Sequence, residues 1–167
     1  MSKARGRDTG IEVAFRKEIW RRGFRYRKNL RVEGVKADVV FTRARLVVFV
    51  DGCFWHGCPI HYTVPKSRVK FWADKLRTNV ERDRLQILAL ERAGWRVIRI
   101  WEHDVKQDKQ KAAEKVIRFL TTGYEPKAGH DWRVVSTSGT GSAASRLLED
   151  LRSGASRINI GTAKETN

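Results

Sequence analysis

The spacing of apolar positions changes twice in the first third of the chain. Ile11, Phe15 and Ile19, with Val13 or Trp20, recur every three to four residues and mark the buried stripe of a helix. Thr9-Gly10-Ile11-Glu12 has capping-box spacing, with Thr9 as N-cap and Glu12 reaching back, and Gly23 ends the helix. Over residues 24–28 aromatic and basic side chains alternate, as in a half-buried strand. Residues 37–42 and 45–51 are two apolar runs of strand length joined by a tight turn, which predicts an antiparallel hairpin. A loop over residues 52–65 follows.

Helical periodicity then returns. Ser67 can cap a helix carrying Phe71, Trp72 and Leu76, and Thr78-Asn79-Val80-Glu81 offers a second capping signal. From there Val80, Leu85, Leu88 and Leu90 lead to Gly94, a C-terminal stop. Residues 95–101 form a further strand ending on Glu102-His103, and residues 108–122 a last helix around Ala112, Val116, Ile117 and Leu120. Strands followed by helices predict an α/β protein, a mixed sheet with helices on its faces. Beyond Gly123 the pattern is lost. Residues 136–145 are rich in Ser, Gly, Thr and Ala and read as a linker, and residues 145–152 could form one short helix. The chain thus divides into a folded domain over residues 1–122, with a basic arm over residues 1–8, and a flexible extension over residues 123–167.

Composition sharpens this picture at one point, the charge. With 41% hydrophobic and 10% aromatic residues in 167, the chain can build a proper core. The net charge is +16, and residues 1–122 hold 29 Lys and Arg against 14 Asp and Glu. The excess therefore belongs to the folded domain, and a nucleic-acid phosphate backbone is its natural partner. No long apolar span, basic amphipathic helix or lipidation motif supports a membrane role. The first residues carry no apolar signal core, so a cytoplasmic location is expected. In a reducing compartment two cysteines are metal ligands more often than a disulfide.

Candidate chemistry gathers in Asp51-Gly52-Cys53-Phe54-Trp55-His56-Gly57-Cys58-Pro59-Ile60-His61, which holds both cysteines and two of the four histidines. Cys53, Cys58 and His61, with His103 at the end of a later strand, supply two thiolates and two imidazoles for a closed, structural Zn2+ site. Cysteines five apart are unusual for a zinc finger, and the alternative is a pair of free thiols beside unrelated histidines. Asp38 interrupts an apolar strand and Asp51 ends its partner; two carboxylates from adjacent strands, with a backbone carbonyl between, suit Mg2+ and phosphodiester hydrolysis. Asp38 could otherwise pair with Arg or Lys at a strand edge, and Asp51 could be a turn-forming Asp before Gly. His56 could accept a proton from an attacking water, or replace His61 on the zinc. Glu12 could orient His56 or a water at the metal, or serve only its helix cap. Phe54, Trp55 and Trp72 could stack on or wedge between bases, with a core position as the alternative for Trp72.

These residues also carry a resemblance. The segments at residues 9–12, 24–27, 37–41, 49–61, 71–72, 79–83, 94–97 and 100–102, with the combination FVDGCFWHGCPIH…FW…NVERD…GWRV…WEH, resemble the very short patch repair (Vsr) DNA mismatch endonucleases over about residues 5–120. The resemblance implies a restriction-endonuclease-like fold and a bacterial, nucleoid-associated enzyme acting as a monomer on double-stranded DNA. Such an enzyme uses Mg2+ to nick one strand beside a T:G mismatch. It implies that Asp38 is the principal Mg2+ ligand with the Val50 carbonyl as a second, that Asp51 lies near that metal, and that His56 is the general base with Glu12 its helper. Phe54, Trp55 and Trp72 would be the wedge, and Cys53, Cys58, His61 and His103 the zinc ligands. Two positions depart from the family pattern: Ala37 stands where proline often precedes the metal-binding Asp, and His103 where cysteine is common. A related endonuclease of a defence or restriction system and a zinc-stabilised DNA-binding module without catalysis are the competing readings.

Overall fold

A computed structural model describes residues 9–122. The expected basic arm over residues 1–8 and the extension over residues 123–167, with its linker and short helix, lie outside the described residues. Helix α1 (Gly10–Arg21) starts where the capping box places it. The Thr9 side-chain oxygen accepts the Glu12 N–H at 3.3 Å, and its hydroxyl donates to Glu12 Oε1 at 3.0 Å. The helix closes with Phe24 N–H on the Ile19 carbonyl and Gly23 N–H on that of Trp20, and Gly23, at φ +89°, supplies the left-handed residue this closure needs.

Four strands, β1 (Arg27–Val32), β2 (Val35–Phe41), β3 (Leu46–Asp51) and β4 (Arg96–Trp101), form one sheet in the order β1-β2-β3-β4. The predicted β2–β3 hairpin is antiparallel, with Val39 opposite Val48 and Phe41 opposite Leu46. β4 runs parallel to β3, Asp51 facing Trp101, and a parallel neighbour needs a long crossover. Helix α2 (Val69–Arg92) is that crossover. The first strand was expected at residues 24–28 and lies at 27–32. β1 is an edge strand with Arg27, Lys28 and Arg31 exposed, so no apolar period marks it, while Phe24 and Tyr26 pack half-buried against the core.

Alternate residues of the inner strands feed two cores. Val48, Ile98 and Ile100 meet Phe15 and Ile19 of α1 and Ala112, Ala113 and Val116 of α3 (Glu102–Thr121). Val47, Phe49 and Val97 meet Ile87 and Leu90 of α2. The mixed sheet with helices on its faces is therefore as expected.

Two helix boundaries are corrected. Residues 69–92 are one helix, not two: its N-cap is Arg68 in a left-handed conformation, without a side-chain cap, rather than Ser67. The Thr78 signal falls mid-helix, where its hydroxyl donates to the Asp74 carbonyl at 2.9 Å, a bond that lets a capping residue sit inside a helix. α3 begins at Glu102, directly after β4, so His103 lies in a helical first turn rather than at a strand end. The expected start at residue 108 persists as a kink, where Asp108 leaves helical geometry and its Oδ1 accepts the N–H groups of Gln110 and Lys111 at 2.9 and 3.0 Å. No helix among the described residues is long and apolar enough to cross a membrane.

Candidate functional site

The C-terminal ends of β3 and β4, the loop after β3 and the middle of α2 converge on one region. Asp38, in β2, is tied to β3 by a 2.8 Å hydrogen bond from Val50 N–H to its Oδ2. That leaves Oδ1 without a hydrogen-bond partner among the described residues. Burial pushes the Asp38 carboxyl up to about 6; the Val50 N–H and Arg99 oppose this, while the charges of Glu12 and Asp51 add to it. A buried carboxylate with one open oxygen and two acids nearby fits a hard divalent cation, which would supply the missing positive charge. Glu12 is buried at the start of α1, bound by Thr9 and by Arg16 at 3.4 Å, with its charge facing Asp38.

Asp51, expected beside the metal, has both carboxylate oxygens engaged by the guanidinium of Arg99, a buried residue of β4. The physical reason is local: an arginine inside an apolar strand requires a fully bonded counter-charge, and the parallel pairing of β3 with β4 provides one. The same guanidinium lies 3.1 Å from Asp83 Oδ2 on α2. His56 Nδ1 is 2.6 Å from that oxygen, 3.3 Å from Arg99 Nη2 and 3.9 Å from Asp51 Oδ1. Burial alone would raise Asp83, but the His56 hydrogen bond and the charges of Arg99 and Arg82 outweigh it and hold the carboxyl down to about 2. Asp83 is thus an ionised acceptor, so Nδ1 carries the imidazole proton and Nε2 is the nitrogen left to accept one.

The loop bearing His56 is anchored on either side of it. Cys53 and Cys58 are unpaired as disulfides, and their Sγ atoms lie 3.2 and 3.4 Å from His103 Nδ1. His61 Nδ1 is 3.7 Å from Cys58 Sγ, and the four ligand atoms fall within 4.8 Å of one another. The four expected ligands are therefore together. Burial, with the Cys58 thiol alongside, pushes Cys53 up to about 12. Two sulfurs and two imidazoles in that space form a soft donor set able to hold a metal ion, with Asp104 at 3.6 Å from the outer nitrogen of His103.

Of the three expected stacking residues, Trp55 is 45% exposed while Phe54 and Trp72 are half-buried. Phe54 sits at the base, its centroid 5.2 Å from both tryptophans, and packs on the small core of Tyr62, Leu76 and Val80. Phe71 extends the group outward at 46% exposure, with Arg68 stacked 4.5 Å above its ring.

Sequence reasoning missed Asn79, Asp83 and Arg99. Asn79 and Asp83 lie one helical turn apart on the buried face of α2, Asn79 donating to the Trp55 carbonyl at 2.9 Å. The signal was there: two polar residues on the stripe defined by Leu76, Val80 and Ile87, and an arginine inside Val97-Ile98-Arg99-Ile100, each costly to bury without a purpose. The false helix start at Thr78 concealed the first of these by putting Asn79 in a capping turn.

Comparison with known proteins gives consistent matches. A family model described as DNA mismatch endonuclease Vsr matches residues 1–61. The chain is similar to the type II nicking enzyme V.NaeI of Lentzea aerocolonigenes, 44% identical over 77% of this chain and 80% of that protein. The type II nicking enzyme V.NmeAIP of Neisseria meningitidis is 40% identical over 72% of this chain and 86% of its own. DNA mismatch endonuclease Vsr of Escherichia coli K12 is 38% identical over 58% of this chain and 62% of its own.

Proposed function

The chain belongs to the Vsr family of DNA endonucleases, and from that premise we propose that it nicks one strand of duplex DNA beside a T:G mismatch, in very short patch repair. The observation that carries the reading is the continuity of the site. Asp38, with an open oxygen, leads through Val50, Asp51 and Arg99 to a histidine fixed by Asp83, and that histidine directly follows an exposed tryptophan.

In this reading Asp38 Oδ1 and the Val50 carbonyl would hold Mg2+, which supplies positive charge for the scissile phosphate when bound. His56 accepts the proton of the attacking water at Nε2, and Asp83 keeps the proton on Nδ1 and stabilises the imidazolium that forms. Glu12 orients the water from the α1 end. Asp51, held by Arg99, contributes its charge beside Asp38 rather than a free ligand oxygen. Cys53, Cys58, His61 and His103 take Zn2+ in a closed structural site that braces the loop. Trp55 leads the wedge, with Phe54 and Trp72 as its backing. The protein works as a cytoplasmic, nucleoid-associated monomer.

A second reading, a nicking enzyme for another DNA target, is favoured by the names of two of the relatives above, which are type II nicking enzymes. One assay separates the two. Wild-type, Asp38→Ala and His56→Ala proteins are incubated with Mg2+ and labelled duplexes, matched, T:G-mismatched and otherwise mismatched. Nicking confined to T:G duplexes and abolished by both substitutions is expected. Equal nicking of matched and mismatched DNA favours the second reading, and undiminished cutting by either variant refutes the assigned site.

A further inference from the structure

Two carboxylates face the same nitrogen of His56. Asp83 Oδ2 is at 2.6 Å and Asp51 Oδ1 at 3.9 Å, and either is an acceptor for Nδ1–H. A histidine between two acceptors has two ring orientations, and Nε2 points differently in each. What separates them is Arg99. Its Nε and Nη2 engage the two oxygens of Asp51, and Nη2 also reaches Asp83 Oδ2 at 3.1 Å, on the oxygen that receives His56. The guanidinium lies against the Phe49 ring, 4.9 Å from its centroid, and its side chain is only 4% exposed. It is therefore held from β3, from α2 and from below, and its direction is fixed.

We propose that Arg99 is a positioning residue for strand cleavage: by gripping both oxygens of Asp51 it holds that carboxylate 3.9 Å from His56 Nδ1, so that Asp83 Oδ2, at 2.6 Å, takes the Nδ1–H, and so aims Nε2. The inference rests on the reading of His56 as the proton acceptor. Arg99 touches no substrate in this arrangement and acts only through Asp51 and Asp83. A lysine cannot replace it, because the role needs a planar fork bonding two carboxylates at once.

The test uses the full chain with its metals and the T:G duplex. In Arg99→Met, Asp51 is released to compete for the imidazole. The expected result is a fall in kcat of about 100-fold, the cost of misaiming a reacting group by roughly 1 Å, with KM within about threefold. Arg99→Lys should regain the melting temperature but not kcat. Nitrogen NMR of 15N-histidine-labelled protein, assigned with His56→Gln, should show a single Nδ1–H ring environment for wild-type His56 and a changed one in Arg99→Met. Because Arg99→Met strips Asp51 of the partner of both its oxygens and can unfold, Arg99→Met/Asp51→Leu removes the pair together and leaves no acceptor at position 51. It should fold, restore the wild-type His56 signals and recover at least about tenfold of the lost kcat, since aim rather than charge is what was lost. The inference is overturned if folded Arg99→Met keeps kcat within about threefold of wild type. It is equally overturned if kcat falls with the His56 signals unchanged, or if the folded double variant stays as slow as Arg99→Met. If His56→Ala still nicks DNA, the reading of the site fails; if it is inactive while Arg99→Met is not slowed, only the role of Arg99 fails.

Discussion

Replacing Asp38 by Asn should abolish nicking and at the same time stabilise the fold in Mg2+-free buffer. Unfolding returns the carboxyl to its ordinary 3.8, whereas the folded protein keeps it protonated to about 6, chiefly because burial disfavours the charge. Between those values the folded state binds more protons than the unfolded state, so this group's contribution falls as pH rises through the window and stays lost above it. A difference of about two units corresponds to about 3 kcal/mol at pH 7, and about 1–2 kcal/mol once screening of the partly exposed side chain is allowed for. Asn keeps an oxygen for the Val50 N–H and carries no charge to place beside Glu12 and Asp51.

Urea denaturation at pH 7.5, with and without saturating Mg2+, makes the measurement. Without Mg2+ the Asn variant should be the more stable by about 1–2 kcal/mol, and the gap should close near pH 4, where the wild-type carboxyl is protonated in the fold. Added Mg2+ should stabilise wild type by mass action and leave Asp38→Asn unmoved. A variant no more stable than wild type at pH 7.5, or an equal Mg2+ response in both proteins, would refute the assignment of Asp38 as the strained acid of a cation site.

Other consequences follow from the same geometry. Asp83→Asn should cost about 2 kcal/mol at neutral pH, a contribution that wild type loses as pH falls from 3.8 towards about 2, so acid denaturation curves of the two proteins should converge at the low end. Cys58→Ser, at a fully buried position, should bring the zinc content measured by elemental analysis from one equivalent to near zero and lower the melting temperature. Trp55→Ala should weaken binding to mismatched duplex by about tenfold in a gel-shift titration with an unchanged melting temperature, because a half-exposed ring adds little to the core. Phe54→Ala should lower stability as well, by about 2–4 kcal/mol in denaturant unfolding, because its ring packs on Tyr62, Leu76 and Val80.

What the sequence disclosed depended on whether a residue's chemistry was local. The β2–β3 hairpin, the α1 cap and the end of α2 at Gly94 each follow from a few consecutive residues, and each stands where the pattern puts it. The four sulfur and imidazole ligands were legible because their types are rare in the chain, although His103 comes from a different element. β1 was misplaced because an exposed edge strand has no buried face to print a period. Arg99 and Asp83 stayed hidden for another reason. Each is a charge whose partner lies far along the chain, Asp51 for one and His56 for the other, and a single sequence states the cost of burying a charge without naming what offsets it.

The loop after β3 is held from two directions, and the two do different things. Cys53 and Cys58 meet His103 at the start of α3, and the residues between them are those proposed for DNA contact and for chemistry. A metal held by that cluster would fix the ends of the segment and leave its middle able to rotate. Asn79 and Asp83 close that gap: spaced four apart on α2, they project from one helical face and take hold of adjacent residues, the Trp55 carbonyl and the His56 ring. In the proposed reading, a wedge pushed by a base pair would therefore press on the same helix that orients His56. Residues at the exposed start of that helix, Phe71 and Trp72, extend the aromatic surface. The distance between Trp55 and His56 is thus set by α2 as well as by the Cys/His cluster, so the buried Asn-Asp pair one turn apart, each member hydrogen-bonded, offsets its desolvation.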